Sequence, residues 1–133
     1  MELSIPRHIY EQMISHLQAV YPLEGCGLLS GENGQATAIY PVENVLQSAT
    51  EYEMDPQQQL EAMLAMEEQG QELLAIYHSH PSGPQHPSQT DIERSLYPET
   101  AYIIVSLAEQ ERPVARAFLL HSEQAHEIAM VIM

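Results

Sequence analysis

Apolar positions recur along the chain in two rhythms, and their alternation predicts most of its elements. Ile9, Met13, Leu17 and Val20 follow helical spacing behind Pro6, a residue favoured at the first helical position, and Pro22 ends the segment. Gly25 to Gly31 is a short apolar run edged by glycines. Glu32-Asn-Gly34 is a hairpin signal that returns the chain through a strand at Ala36 to Val42. Pro41 has no amide to donate, which suggests an edge. Asn44 to Thr50 reads as loop and Glu51 to Met54 as a short strand. Asp55-Pro56 then starts a helix with a capping residue followed by proline, and Leu60, Met63, Leu64 and Met66 supply its apolar face before Gly70. Leu73 to His78 is a continuous apolar run, typical of a central strand. Pro81 to Pro87 is a proline-rich loop, and Ser88 to about Leu96 a short helix. Ala101 to Leu107, Val114 to His121 and Glu127 to Ile132 are the remaining strands, with a turn at Glu109 to Arg112.

Hairpins stand at both ends and a central strand leads into a loop. This order predicts an α+β fold: one domain, residues 1–133, with a mixed central β-sheet flanked by helices. No repeat, linker or low-complexity segment interrupts it. A length of 133 residues with 44% hydrophobic content is enough for a single core.

Charge narrows the partners. The net charge is -15, from 19 acidic residues against four basic ones, all arginine. Too few cations are present to neutralise phosphates, so no nucleic-acid partner is expected, and an anionic membrane would repel the chain. A neutral or basic protein partner would be attracted. The N-terminal MELSIPRHIY has no apolar stretch after a basic region, and no apolar run approaches the roughly 20 residues of a membrane span. A single cysteine, Cys26, allows no intrachain disulfide. A cytoplasmic location is the expectation.

Candidate chemistry lies in His78-Ser79-His80-Pro81 and Ser88-Gln-Thr-Asp91. Residues i and i+2 of a strand face the same way, so His78 and His80 can converge on one ion. Asp91 can supply a third ligand and leave a fourth position open for water. Each feature also has a plain reading. A lone His-x-His pair often arises by chance, and Ser88-x-x-Asp91 is also a helix-capping pattern. A cap and a ligand are compatible, because capping fixes the side chain of the first turn. The same donors also suit iron, cobalt or manganese.

The string HSHPSGPQHPSQTD, with seven residues between His80 and Ser88, resembles the signature of the JAMM (MPN+) metallopeptidases. That family also carries an upstream glutamate near the end of the first helix. Tyr21 to Gly31 (YPLEGCGLLSG) is similar to that element, with Glu24 in the matching place. The resemblance spans the chain, including the Asp-Pro helix and the Tyr-Ile-Ile-Val-Ser strand, and implies the cytidine-deaminase-like MPN fold. It further implies that His78, His80 and Asp91 bind Zn²⁺, that Glu24 is the general base, and that Ser88 donates to the oxyanion. Without it, Glu24 reads as an ordinary surface acid. The implied substrate is the C-terminal Gly-Gly tail of a ubiquitin-like or sulfur-carrier protein, cut at a peptide or isopeptide bond by a monomer or homodimer. The alternative is a non-catalytic MPN-type module that binds ubiquitin-like proteins. Complete ligand residues favour catalysis.

Other conspicuous residues have plainer roles. Cys26 reads as a packed core thiol, and the flanking Gly25 and Gly27 as places where a substrate chain could approach the backbone. His86, His121 and His126 are expected to face water, and His8 and His16 to lie off the apolar face of the first helix. Met63 and Met66 are core filler, and Ile128 to Met133 a packed last strand.

Overall fold

A computed structural model describes all of residues 1–133. In chain order the elements are β1 (Glu2–Ile5), α1 (Arg7–Val20), β2 (Cys26–Glu32), β3 (Gln35–Val42), α2 (Pro56–Glu68), β4 (Glu72–His80), α3 (Gln89–Arg94), β5 (Ala101–Ser106), β6 (Val114–His121) and β7 (Gln124–Ile132). The expected α+β domain with a mixed sheet and flanking helices is present. The sheet runs β1-β3-β2-β4-β5-β6-β7 and closes on itself where β7 pairs in parallel with β1. β4 and β5 are parallel, and β2 is antiparallel to both of its neighbours, β3 and β4.

Alternation along β2, β4 and β5 divides the core in two. Leu29, Tyr77, Ile103 and Val105 face one side and pack with Leu3, Ile5 and the α1 row Ile9, Met13 and Leu17. Cys26, Leu28, Ile76, Tyr102 and Ile104 face the other, against Ala62 and Met66 of α2. These central strands are therefore buried on both faces, which explains their unbroken apolar runs. Asp55 caps α2: its Oδ1 accepts from the amides of Gln57 and Gln58 at 2.9 and 3.1 Å.

Several expectations change. β1 is too short for periodicity to reveal, yet Leu3 and Ile5 are fully buried and the strand closes the sheet. Glu51 to Met54 is not a strand: only Met54 bridges, to Asn44. Leu60 and Leu64 are 52% and 55% exposed, whereas α2 seats Ala62 and Met66. At 3.6 residues per turn, Leu64 lies about 200° around the helix from Ala62, so the two rows cannot share a face. His16 is half-buried, with Nδ1 2.8 Å from the Tyr77 hydroxyl. Pro41 behaves as expected of an edge, because β3 meets β1 only at Gln35. His8, His86, His121 and His126 are exposed, and Ile128 to Ile132 lies in β7, where Ile128 pairs with β6 and Ala129 to Ile132 with β1.

The two glycines before the central strand are explained from inside the protein rather than by a substrate. A Cβ on Gly25 would meet Val20 and Leu17 of α1 at 2.6 and 2.7 Å, and one on Gly27 would overlap the ring of Tyr77, its cross-strand neighbour. Tyr77 is fully buried and has nowhere to move. Gly27→Ala should therefore cost about 1–3 kcal/mol or more by overpacking. Urea denaturation measures this, and an unchanged midpoint would contradict the packing.

Candidate metal centre

β4 carries His78 and His80 on the α2 side of the sheet, in line with Ile76, while Tyr77 and Ser79 face α1. His78 sits directly between Cys26 of β2 and Ile104 of β5. Both imidazoles are buried, at 0% and 5% exposure. After Pro81 the chain turns, and the His80 carbonyl accepts from the amides of Gly83 and Leu107. The loop then delivers Ser88 to the start of α3. The Ser88 amide donates to Asp91 Oδ2 at 2.8 Å and Ser88 Oγ accepts from the Asp91 amide at 3.0 Å, a reciprocal capping box. The capping reading and the ligand reading of this pair thus describe one geometry.

Four donor atoms from three residues converge. His78 Nε2 and His80 Nε2 are 3.2 Å apart, His78 Nε2 and Asp91 Oδ1 3.2 Å, and His80 Nε2 and Asp91 Oδ2 3.0 Å. Donors placed tetrahedrally around zinc, at bonds of about 2.0 Å, lie about 3.3 Å from one another. Spacings of this size suit three residues that share one ion. Proton placement supports the same conclusion. His80 Nδ1 is 2.9 Å from the Pro84 carbonyl, which can only accept, so Nδ1 holds the ring proton and the neutral ring turns a lone pair at Nε2 toward Asp91. A lone pair facing a carboxylate requires a cation between them, or a second proton on the ring.

The titration behaviour reflects this pull. Burial works against ionisation of Asp91, but hydrogen bonds with His78 and His80, together with the Ser88 amide, hold its carboxyl far below the usual range. Burial also opposes a charged His80, yet the Asp91 and Pro84 bonds outweigh it and raise its pKa. For His78, enclosed completely, burial prevails and the pKa falls.

Glu24 is no surface acid. It is 4% exposed, and its Oε1 has no hydrogen-bond partner. Its backbone is held on every side. The Glu24 amide donates to the Ser48 carbonyl at 2.8 Å, Asn44 Nδ2 donates to the Glu24 carbonyl at 3.0 Å, and the next amide, of Gly25, donates to Ser79 Oγ at 2.9 Å. Burial raises its pKa to about 7; His80 opposes the shift, while Asp91 and Glu51 add to it. Glu24 therefore lies within electrostatic reach of His80 and Asp91.

Sequence reasoning missed Asn44, Ser79 and Tyr52. Asn44 is a buried loop residue whose Oδ1 also accepts from the amides of Leu46 and Glu53, so it organises the whole 44–54 segment. An asparagine between two predicted elements was the available signal. Cys26 is buried as expected. It donates weakly to the Val42 carbonyl, and burial pushes its thiol up to about 12, which makes it no nucleophile. Two clefts reach residues of this site, one at Asp91 and the other at Glu24. One of about 570 Å³ is lined by Tyr52, Ile76, Asp91, Arg94, Leu96 and Tyr97; the other, about 440 Å³, by His16, Leu23, Glu24, Pro41 and Asn44.

The Glu24 carboxyl has a consequence for stability. Its ordinary value is 4.5, so the unfolded chain ionises first, and the metal-free protein loses stability as pH rises from about 4.5 to about 7. Glu24→Gln removes that loss. The variant should gain on the parent between about pH 4 and about pH 8 in urea denaturation of metal-free samples. An unchanged difference across that range would contradict the buried carboxyl.

Comparison with known proteins identifies the family. The family described as prokaryotic homologs of the JAB domain matches residues 6–121. The chain is 39% identical over 132 residues to a probable TtuB-protein conjugate cleaving protease of Thermus thermophilus, covering 98% of this chain and 83% of that protein. It is 31% identical to the CysO-cysteine peptidase of Mycobacterium tuberculosis, over 87% of this chain and 81% of that one. Among solved structures, protein DSY2949 of Desulfitobacterium hafniense superposes with a TM-score of 0.89 at 33% identity, covering 100% of this chain and 93% of that one. AF2198 of Archaeoglobus fulgidus, a JAB1/MPN domain protein, shares the fold, with a TM-score of 0.63 at 17% identity over 98% and 96% of the two chains. With a matching fold, a convergent His-His-Asp group and relatives named as peptidases, the chain belongs to the prokaryotic branch of the JAB-domain family.

Proposed function

We propose that this protein is a zinc-dependent peptidase that hydrolyses the peptide or isopeptide bond following the C-terminal Gly-Gly tail of a ubiquitin-like or sulfur-carrier protein. The observation that carries the proposal is the convergence of His78, His80 and Asp91, whose donor atoms approach one another at 3.0–3.2 Å, with the buried Glu24 carboxyl, its Oε1 unpartnered, in electrostatic reach of His80 and Asp91. These three residues would hold the ion. Bound zinc lowers the pKa of water to near 7 and polarises a carbonyl.

The chain's own residues supply the rest. Glu24 takes the proton of the attacking water on its carboxylate and passes it to the leaving amine. A raised pKa suits both steps, because the group must accept a proton and then release it near neutral pH. Ser88 Oγ already accepts from the Asp91 amide, which leaves its hydroxyl proton free to donate to the oxyanion. The cleft that reaches Asp91 and the cleft that reaches Glu24 offer space for a substrate chain.

The substrate class rests on two supports. The relatives' names describe cutting a TtuB-protein conjugate and removing cysteine from CysO, both of which part a named protein from an attached group. Glycines in a tail would also meet little steric opposition beside ligands so deeply buried. The net charge of -15 favours a partner with a neutral or basic surface.

Metal analysis of the purified protein should find about one zinc per chain, and Asp91→Ala should abolish it, since a tetrahedral site loses one of three protein ligands. Glu24→Gln should keep the metal and lose about 10²–10⁴ in the hydrolysis rate of a Gly-Gly-tailed fusion. A Gln variant as active as the parent would remove Glu24 from the chemistry. A metal-loaded parent that binds such fusions without cutting them would favour the binding-module reading.

A further inference from the structure

His80 and His78 are held in different ways. Metal-binding histidines generally donate their second ring N–H to a carbonyl, a carboxylate or water, and this bond fixes the ring. His80 follows the rule through Nδ1 and the Pro84 carbonyl, at 2.9 Å. His78 does not: its Nδ1 is buried and has no hydrogen-bond partner. Rotation about the Cβ–Cγ bond of histidine is soft, so an unrestrained ring would swing Nε2 away from the other two donors.

An aromatic face stands where that bond is missing. The Tyr52 ring lies over His78, with centroids 4.4 Å apart and planes inclined by 30°. Tyr52 belongs to the irregular 44–54 segment, and Asn44 grips its two neighbours. Asn44 Nδ2 donates to the Glu51 carbonyl at 3.1 Å, and Asn44 Oδ1 accepts from the Glu53 amide at 3.1 Å. Met54, next along, is buried and bridged to Asn44. The same Asn44 Nδ2 binds the Glu24 carbonyl. One side chain thus ties the segment bearing the aromatic ring to the residue bearing the buried carboxyl.

We infer that Tyr52 is a positioning residue for the metal centre: its ring face, set by Asn44, fixes the His78 imidazole in place of the missing hydrogen bond. The phenol hydroxyl has no part in this role, since the contact uses the ring face. Phenylalanine should therefore serve as well as tyrosine, and an aliphatic residue of similar bulk should not. The inference rests on the metal-site reading above.

The test is metal affinity, measured by competition with a chelator on the intact chain, together with the visible spectrum of the cobalt-substituted protein. Tyr52→Phe should match the parent in both. Tyr52→Leu, which keeps an apolar side chain but removes the planar face, should lose about 10–100-fold in affinity and change the cobalt spectrum, as loss of a ligand's outer support does elsewhere. Equal affinity and an identical spectrum for the Leu variant would overturn the inference and leave the metal site standing. Losses as large for Phe as for Leu would also overturn it, since they would assign the role to the hydroxyl. A parent that takes up no metal would overturn the metal-site reading itself. A further measurement needs no variant. The carbon-bound ring protons of His78 in the metal-free parent should be shifted upfield by the Tyr52 ring current in NMR spectra, and unshifted signals would show that the stack does not persist.

Discussion

The site depends on the pairing of Gly25 with Ser79. The Ser79 amide donates to the Gly25 carbonyl at 3.0 Å, and Ser79 Oγ accepts from the Gly25 amide at 2.9 Å. This double link lies where β2 begins and β4 nears its end. It sets Glu24 beside the strand segment that carries His78 and His80, although more than fifty residues separate them in sequence. Ser79 faces the α1 side, away from the ligands, so it holds the frame without entering the cluster. The two glycines serve the same approach. Gly25 admits α1 and Gly27 admits the Tyr77 ring, so β2 can run close against both.

Electrostatics then makes the site costly unless it is filled. Asp91 is held anionic beside two buried imidazoles, and the buried Glu24 brings a second carboxyl within electrostatic reach. Buried charges of this kind need a partner of opposite sign. A divalent ion held by His78, His80 and Asp91 would meet that need. Metal binding there would then be coupled to local stability, because ligands must be deprotonated to bind.

The grouping of His78 with His80 and of Ser88 with Asp91 was readable because it is local. His78 and His80 alternate on one strand, and Ser88 and Asp91 open one helix, so spacing alone places each pair. Glu24 carried no local signal. Its role was legible only through resemblance, and its burial could not be read from a glutamate lying between a helix and a strand. The exposed row Leu60 and Leu64 shows the limit of apolar counting: α2 touches the sheet through Ala62 and Met66, and small Ala62 gave no sign of being the contact. β1 and the Asn44-centred loop were missed because neither has a period. One is four residues long, and the other is shaped by side-chain bonds to the backbone.

By itself the sequence determined the α+β class, the central place of the Leu73 to His78 strand, and the residue types of the candidate donors. These follow from periodicity and residue type, which are properties of short segments. Only the tertiary structure decided that the sheet closes through β1 and β7, that Glu24 is buried with its pKa raised, and that His78 leans on Tyr52 rather than on a hydrogen bond. The physical reason is the same in each case. Burial, desolvation and ring contact are set by groups distant in the chain, and no local pattern carries that information.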